Sequence, residues 1–209
     1  MRWSELSDLI GQEFRHHWRL ALLTGLILGG LNAWLDEVDP TGRAGLYAGV
    51  VTTFAQLAVT AQAMKGWGYS VNGARIVPYI GQSIVSTFGL VLATIALLVP
   101  GLWLYARWFL ATPIFVAESK GAIGSLGESF ARTKGSTMPL IGIALFIGTL
   151  FIAPIVAGSI IFGEKSPPIF AAFAIYFVVF TALASGWLAS VAAYRGLTGG
   201  LNALEEVFA

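Results

Sequence analysis

Residues 99–113 read VPGLWLYARWFLATP, a stretch that is almost wholly apolar, begins with a Val-Pro-Gly turn signal and ends at a Thr-Pro pair. One arginine, Arg107, lies in its middle. A guanidinium at the centre of a bilayer costs about 2.5–3.5 kcal/mol on insertion scales, so Arg107 needs a partner or a role if this stretch crosses a membrane. The surrounding sequence therefore has to establish whether it does.

The composition is typical of an integral membrane protein. The 209-residue chain is 56% hydrophobic and 11% charged, with a mean hydropathy of +0.77. A membrane-spanning helix needs about 20 apolar residues, which leaves room for about six spans and for no sizeable soluble domain. The formal net charge of +1 provides no global field to attract nucleic acid. The absence of cysteine excludes disulfides, thiol nucleophiles and sulfur-ligated metals.

The apolar runs predict an all-α, polytopic membrane protein with six transmembrane helices in a single domain. Pro100 and Gly101 interrupt the longest run, and we predict a tight turn there because proline cannot continue a helix cleanly. Joining the two runs instead would give a five-span alternative. The predicted spans are residues 18–35, 44–64, 77–98, 102–117, 138–163 and 168–194.

The distribution of basic residues indicates the orientation of these spans. Two basic residues, Arg43 and Lys165, fall on one side of the predicted membrane, and Arg107 lies within a span. The other side holds Arg2, Arg15, Arg19, Lys65, Arg75, Lys120, Arg132, Lys134 and Arg195. The positive-inside rule then places both termini in the cytoplasm. The five-span alternative would move three basic residues outside, so it is less favoured.

Two segments outside the spans have the periodicity of amphipathic helices. In residues 3–17 the apolar side chains recur at spacings of three and four, at Trp3, Leu6, Ile10 and Phe14. This pattern predicts a helix that lies in the membrane interface or packs against a loop of its own bundle. In the loop 118–137 the same spacing joins Ile123, Leu126 and Phe130, which predicts a second interfacial helix ending near Gly135.

Small residues predict where helices pack closely. Gly25 with Gly29, and Gly45 with Gly49, form two GxxxG pairs. In lipid the hydrophobic effect does not drive helices together, so close backbone approach at such residues supplies much of the contact. Each pair is compatible with dimerisation or with packing inside the chain. The second is favoured in a chain with several spans.

Two glutamines, Gln56 and Gln82, lie at predicted membrane depth. Gln56 shares a helix face with Thr52 and Thr60, and Gln82 shares one with Ser86. Amides in lipid need hydrogen-bond partners, and the two polar rows could supply them to each other. Alternatively, the same side chains could line a polar translocation path. The path is the less favoured interpretation, because no carboxylate or histidine lies at membrane depth as an ion relay would need.

Arg107 itself has two interpretations. It lies five residues after Leu102, which places it about 7–8 Å below the outer end of its predicted helix. In the first, the guanidinium is structural and either snorkels to the outer headgroups or bonds to carbonyls freed around Pro100 and Pro113. In the second, it binds a lipid phosphate through two parallel hydrogen bonds. Glu118 lies about 16 Å further along the axis, too far to pair within the helix.

The sequence offers little for catalysis or cofactors. His16 and His17 are adjacent, so a helix would splay them apart, and no second pair of metal ligands occurs. The serines have no GxSxG context and no histidine relay, and no phosphate loop of the GxxxxGK type occurs. We therefore expect no catalytic residue, no metal site, no cofactor and no enzymatic activity.

Residues 99–135 resemble the characteristic stretch of the bacterial membrane-domain family named after glycerophosphoryl diester phosphodiesterase, to which YciC-like inner-membrane proteins are also similar. The ending AAYRGL, residues 192–197, resembles the closing signature of that family. The phosphodiesterase chemistry of the family name belongs to a separate domain that nothing in this chain resembles. The matching positions are Pro100, Gly101, Arg107, Pro113, Glu118, Gly121, Ser129, Thr133, Lys134 and Gly135.

The resemblance implies a six-helix bundle of the bacterial cytoplasmic (inner) membrane. It marks Arg107, Glu118 and the segment Ser129, Arg132 and Lys134 as a functional or fold-defining unit. We expect a non-enzymatic protein that supports envelope or lipid organisation or serves as an accessory subunit, with membrane lipids or other membrane proteins as partners. A small permease or lipid transporter is the alternative. We also expect Glu118 to pair with Arg132, Lys134 or Arg75, because those bases lie in the same predicted layer.

Overall fold

The computed structural model describes residues 3–39, 45–66, 68–69, 75–96, 98–118, 120–163 and 166–208. All the regular structure in these ranges is helical, which confirms that the chain is all-α. Arg2, Arg43 and Lys165, which entered the charge count, and the predicted start of a span at residue 44 lie outside the described residues. The helices are α1 (Trp3–Val38), α2 (Gly45–Lys65), α3 (Ile76–Ala96), α4 (Leu98–Trp108), α5 (Ala111–Ala117), α6 (Ala122–Arg132), α7 (Thr137–Phe162) and α8 (Ile169–Phe208).

Five described stretches are long and apolar enough to cross a membrane. They are Trp3–Val38, Ile76–Ile95, Val99–Ala117, Thr137–Phe162 and Ile169–Thr198. The predicted span 44–64 corresponds to α2, which is 21 residues long but is not among the five. Its threonines and glutamines dilute its apolar character, so the sixth span remains a prediction.

The N-terminal amphipathic segment does not form a helix of its own. α1 is continuous over 36 residues, about 54 Å, and has no break near residue 17 where the interfacial helix was predicted to end. Apolar periodicity alone cannot locate a bend, because an amphipathic turn continues into an apolar one without a change of backbone geometry. The predicted face is also partly wrong. Leu6 is buried, whereas Trp3 and Phe14 are 53% and 38% exposed.

The predicted turn between the third and fourth spans is present, but it falls earlier than Pro100. α3 ends at Ala96 and α4 begins at Leu98, so Pro100 lies in the first turn of α4. Proline is tolerated there because the first N–H groups of a helix have no partner within it. A Cβ added at Gly101 would lie 2.9 Å from the Cα of Thr94, so the two helices pack closely and do not form one span.

The predicted fourth span is broken. α4 ends at Trp108 and α5 begins at Ala111. Pro113 has no N–H to donate to the carbonyl of Phe109, which weakens the helix at that turn. The predicted helix in the loop 118–137 is confirmed as α6, which ends at Arg132, three residues before Gly135.

The chain forms two compact units. The first consists of Met1–His16, Thr60–Ala144 and Leu188–Ala209, as far as these are described, and contains α3 to α6 complete. The second consists of His17–Val59 and Leu145–Trp187. All the charged and aromatic groups that surround Arg107 belong to the first unit.

Close helix packing in the second unit occurs at the first GxxxG pair. A Cβ added at Gly29 would lie 2.8 Å from the backbone N of Phe177 on α8, and one at Gly25 would lie 3.0 Å from the carbonyl oxygen of the same residue. The second pair is different, because no atom of the described residues lies within 4 Å of a Cβ added at Gly45 or Gly49. Within the described ranges, close helix packing therefore occurs at the first pair and not at the second.

Candidate functional site: a buried arginine beside an ion-pair cluster

Arg107 lies in the last turn of α4, enclosed by aromatic side chains. The residue is only 5% exposed. Its guanidinium carbon lies 4.0 Å from the ring centroid of Phe130 on α6 and 5.7 Å from that of Trp103 on α4. The two rings contact each other edge to face, with centroids 5.4 Å apart. This burial is incompatible with the prediction that Arg107 snorkels to the outer headgroups.

The guanidinium is poorly supplied with hydrogen-bond acceptors. Its Nη1 lies 3.5 Å from the hydroxyl oxygen of Thr137, which is a long contact, and its Nε is buried without an acceptor. Within the described part of the chain, no ion pair includes Arg107. Among the described residues, the carbonyls around Pro100 and Pro113 that were expected to receive the guanidinium are not its partners. A buried cation in this state is unusual, because charges inside proteins are normally paired.

Ser129 of α6 bridges the break between α4 and α5. Its hydroxyl donates to the carbonyl oxygen of Arg107 at 2.8 Å and accepts from the N–H of Leu110 at 3.1 Å. The hydroxyl oxygen of Thr133 lies 3.1 Å from the same carbonyl. Ser129 and Thr133 are fully buried, so these contacts replace hydrogen bonds that a continuous helix would make itself. The main chain of Arg107 is thus held firmly, although its side chain is not.

Glu118, at the end of α5, is the centre of an ion-pair cluster. Its two oxygens accept from Nη1 and Nη2 of Arg132 at 2.5 and 2.9 Å, so the partner is one of the three bases that the sequence analysis proposed. The hydroxyl of Tyr194 donates to the first of these oxygens at 3.0 Å, and Lys120 Nζ lies 3.4 Å from the second. Glu128 completes the cluster, with its Oε2 2.5 Å from Nζ of Lys120 and its Oε1 2.6 Å from Nε of Arg132. The cluster contains two acids and two bases, and its charges balance.

The electrostatics of the cluster favour the charged forms. The hydrogen bond from Lys120, with that from Arg132, holds the pKa of Glu128 below its ordinary value. The hydrogen bond to Glu128 raises the pKa of Lys120. Desolvation acts to lower the pKa of Arg132, but its hydrogen bonds to Glu118 and Glu128 outweigh that effect and raise it. All three groups therefore remain ionised at neutral pH.

The other two bases considered for Glu118 lie elsewhere. Arg75 donates from Nη1 to the carbonyl oxygen of Val116 at 3.2 Å and from Nη2 to that of Phe115. Its guanidinium carbon lies 4.6 Å from the ring centroid of Phe115. Lys134 is exposed in the turn between α6 and α7. Arg75 is therefore an arginine satisfied by carbonyls, in contrast to Arg107.

The two glutamines are not equivalent. Gln82 is 3% exposed and its Oε1 has no hydrogen-bond partner, while Thr60, fully buried, has an unpartnered hydroxyl oxygen. Gln56 is half-buried and belongs to the second unit. The hydroxyl of Thr52 donates to the carbonyl of Ala48 in its own helix at 2.8 Å. Thr52 is thus satisfied within its own helix, whereas among the described residues the hydroxyl of Thr60 and the amide oxygen of Gln82 have no partner.

Sequence reasoning missed one ion pair of the first unit. Nη1 of Arg195 on α8 lies 2.5 Å from Oε2 of Glu13 on α1, and Glu13 is 2% exposed. Glu13 follows the buried Leu6 by seven residues, so the two share a helix face. A carboxylate on the buried face of an amphipathic helix was the signal that could have identified this pair.

We expect Glu118→Gln to lower the free energy of unfolding by about 1–2 kcal/mol, because Arg132 loses its bidentate carboxylate. The glutamine keeps the volume of the side chain, so packing is unchanged. Glu128→Gln in the same cluster is the comparison, and its more exposed carboxylate predicts a smaller loss. Thermal unfolding in detergent measures both variants. Equal melting temperatures for wild type and Glu118→Gln would contradict the central role of Glu118.

Among the described residues, no group of three or more histidine, aspartate or glutamate side chains is arranged to hold a metal ion. Comparisons with family models, with curated proteins and with solved structures find no match for this chain. The resemblance of residues 99–135 to a bacterial membrane-domain family accordingly remains a prediction.

Proposed function

We propose that this chain is a non-enzymatic, multi-pass protein of the bacterial inner membrane that supports envelope or lipid organisation or serves as an accessory subunit of a membrane complex. The observation that carries the proposal is the closed cluster around Glu118. Its carboxylates accept from Arg132, Lys120 and Tyr194, so these groups join α5, α6 and α8. Acids and bases engaged in this way stabilise a scaffold and are not free to transfer protons.

The proposed topology has six spans with both termini in the cytoplasm. The charge bias of the sequence and the five apolar helices support it. In this topology the Glu118 cluster lies in the cytoplasmic layer, where lysine and arginine side chains are abundant. Single-cysteine labelling from either side of a sealed membrane vesicle tests the orientation, since the wild-type chain has no cysteine.

Mass spectrometry of the protein, purified gently together with native lipid, tests the proposed function. A protein partner retained in stoichiometric amount would support the role of accessory subunit. Selective enrichment of particular lipids over the bulk membrane would support the role in lipid organisation. Retention of neither would contradict the proposal. A preparation with Glu118→Gln is the matched control, because a disrupted scaffold should lose whatever the wild type retains.

A small permease or lipid transporter is the alternative, and the break between α4 and α5 favours it. Broken helices and unpartnered buried polar atoms, such as Oε1 of Gln82, occur at the binding sites of membrane transporters. Cysteines introduced at positions 56 and 82 should react with water-soluble thiol reagents if a polar route passes them. Complete protection of both positions would contradict a route.

A further inference from the structure

We propose that Arg107 and the N-terminus of α7 bind a phosphate group, carried by an anionic lipid headgroup or by a soluble phosphate compound. The lipid source deepens the proposed role in lipid organisation and rests on it. The binding chemistry itself does not depend on that role, because it follows from an unpaired buried guanidinium.

The first argument is the unsatisfied state of the Arg107 side chain. A guanidinium has five N–H donors, and at 5% exposure water cannot serve them all. The rings of Phe130 and Trp103 attract the cation electrostatically but contain no lone pair in the plane of the donors. The Nε remains without an acceptor, and the one side-chain contact, to Thr137, is 3.5 Å long. An anion would supply the acceptors that the described residues do not.

The second argument is that no nearby carboxylate is free to do this. Glu118 gives both oxygens to Arg132, at 2.5 and 2.9 Å. Glu128 is held by Arg132 and Lys120. These two carboxylates already balance the charges of Arg132 and Lys120, so the cluster has no third negative charge to offer Arg107.

The third argument is that a second positively charged group, the N-terminus of α7, lies beside the guanidinium of Arg107. Arg107 Nη1 points to the hydroxyl of Thr137, which is the first residue of α7. The first N–H groups of an α-helix have no partner within the helix, and the helix dipole concentrates positive charge there. In α7 these are the N–H groups of Thr137 and Met138, because Pro139 has none and that of Leu140 donates to the carbonyl oxygen of Ser136. A guanidinium and a helix N-terminus repel each other unless an anion lies between them. Both a helix N-terminus and an arginine that donates two parallel hydrogen bonds are common phosphate-binding groups in proteins.

The fourth argument concerns depth in the membrane. α7 has 26 residues, about 39 Å, and its most apolar 18-residue stretch has a mean hydropathy of 2.6, the highest value among the five apolar helices. The hydrocarbon core is about 30 Å thick, so each end of the helix extends about one turn into the headgroup region. Thr137 is therefore at the level where lipid phosphates lie. This position makes a lipid the natural source of the anion, although a soluble phosphate compound would reach the same layer.

Arg75 provides an internal comparison. It also lies over a phenylalanine ring in the first unit, yet its donors are occupied by the carbonyl oxygens of Val116 and Phe115. An arginine with a purely structural role is thus satisfied by the chain itself. The guanidinium of Arg107 has no such carbonyl acceptors among the described residues, so the structural role of Arg75 does not explain it.

The test uses the full chain in an uncharged detergent, titrated separately with phosphatidylglycerol, with diacylglycerol of the same acyl chains, and with inorganic phosphate. Native mass spectrometry measures lipid binding, thermal unfolding measures stabilisation by inorganic phosphate, and hydrogen exchange follows the amides of Thr137 and Met138. The variants are Arg107→Gln, Arg107→Lys and, as the matched control, Arg75→Gln.

For a lipid source, we expect the wild type to bind phosphatidylglycerol in preference to diacylglycerol and its amides at Thr137 and Met138 to exchange more slowly. For a soluble source, inorganic phosphate should raise the melting temperature and slow the same exchange. In either case Arg107→Gln should weaken binding by about tenfold or more, Arg107→Lys by less, and Arg75→Gln should leave it unchanged.

Unchanged exchange at Thr137 and Met138 in the wild type with every ligand would overturn the proposal, and this measurement needs no variant to fold. Equal phosphate binding by wild type and a folded Arg107→Gln would also overturn it. If Arg107→Gln does not fold, equal phosphate binding by wild type and Arg107→Lys would overturn the proposal that the guanidinium binds phosphate through two parallel hydrogen bonds. If the phosphate site is refuted in this way but the native purification still retains a protein partner or selected lipids, the proposed function remains supported without the phosphate site.

Discussion

Glu13→Ala should be among the most destabilising single substitutions in the chain. It removes one member of the pair between Glu13 Oε2 and Arg195 Nη1, 2.5 Å apart, and Glu13 is 2% exposed. Removing one partner of a buried ion pair leaves an uncompensated charge, which typically costs 3–5 kcal/mol. We expect about 3 kcal/mol here, because the side chain of Arg195 is 27% exposed and recovers part of its hydration. For a chain of this size that corresponds to a fall in melting temperature of about 6–12 °C.

Thermal unfolding in detergent, followed by circular dichroism, measures this effect. Asp8→Ala on the same helix is the matched control, since Asp8 is exposed and its loss should change the melting temperature little. The double variant Glu13→Ala with Arg195→Ala should recover part of the loss, because the guanidinium that Glu13 balanced is then removed as well. A double variant less stable by the full sum of the two single effects would contradict the pairing.

Gly29→Leu should separate α1 from α8 in the second unit. Even a Cβ at this position would lie 2.8 Å from the backbone N and 3.0 Å from the Cα of Phe177, and backbone atoms cannot rotate out of the way. Overpacking at a close contact costs typically 1–3 kcal/mol, and we expect at least about 3 kcal/mol for leucine because the whole helix must shift. The same unfolding measurement in detergent quantifies the loss.

Gly49→Leu is the matched control for this prediction. It makes the same chemical change in a GxxxG pair, but no atom in the described part of the chain lies within 4 Å of the added Cβ. Leucine also favours a helix over glycine by about 1 kcal/mol, so this variant should be as stable as the wild type or slightly more stable. A larger loss for Gly49→Leu than for Gly29→Leu would reverse the assignment of the two pairs.

The candidate site was predicted unevenly. The resemblance and the layer argument identified Arg107, Glu118, Ser129 and Arg132, and the structure brings these four into one region of the first unit. The sequence did not predict what each of these residues contacts. Ser129 serves the backbone of the broken helix, which became visible only once α6 was packed against the break. The environment of Arg107 was wrong in the sequence-based prediction, because depth along a helix gives no information about which side chains cover it.

The sequence by itself determined the all-helical class, the approximate positions of the apolar helices and the α6 segment, and it limited the expected partner of Glu118 to Arg132, Lys134 or Arg75. These properties follow from local features: hydrophobic periodicity, helix-breaking residues and the proximity of opposite charges in one layer. Only the tertiary structure decided that Glu13 is buried with Arg195, that Gly29 but not Gly49 packs on another helix, and that Arg107 is buried without a carboxylate. Each of these depends on which face of one helix meets which face of another, and a helical repeat read from a single chain does not specify the partner face.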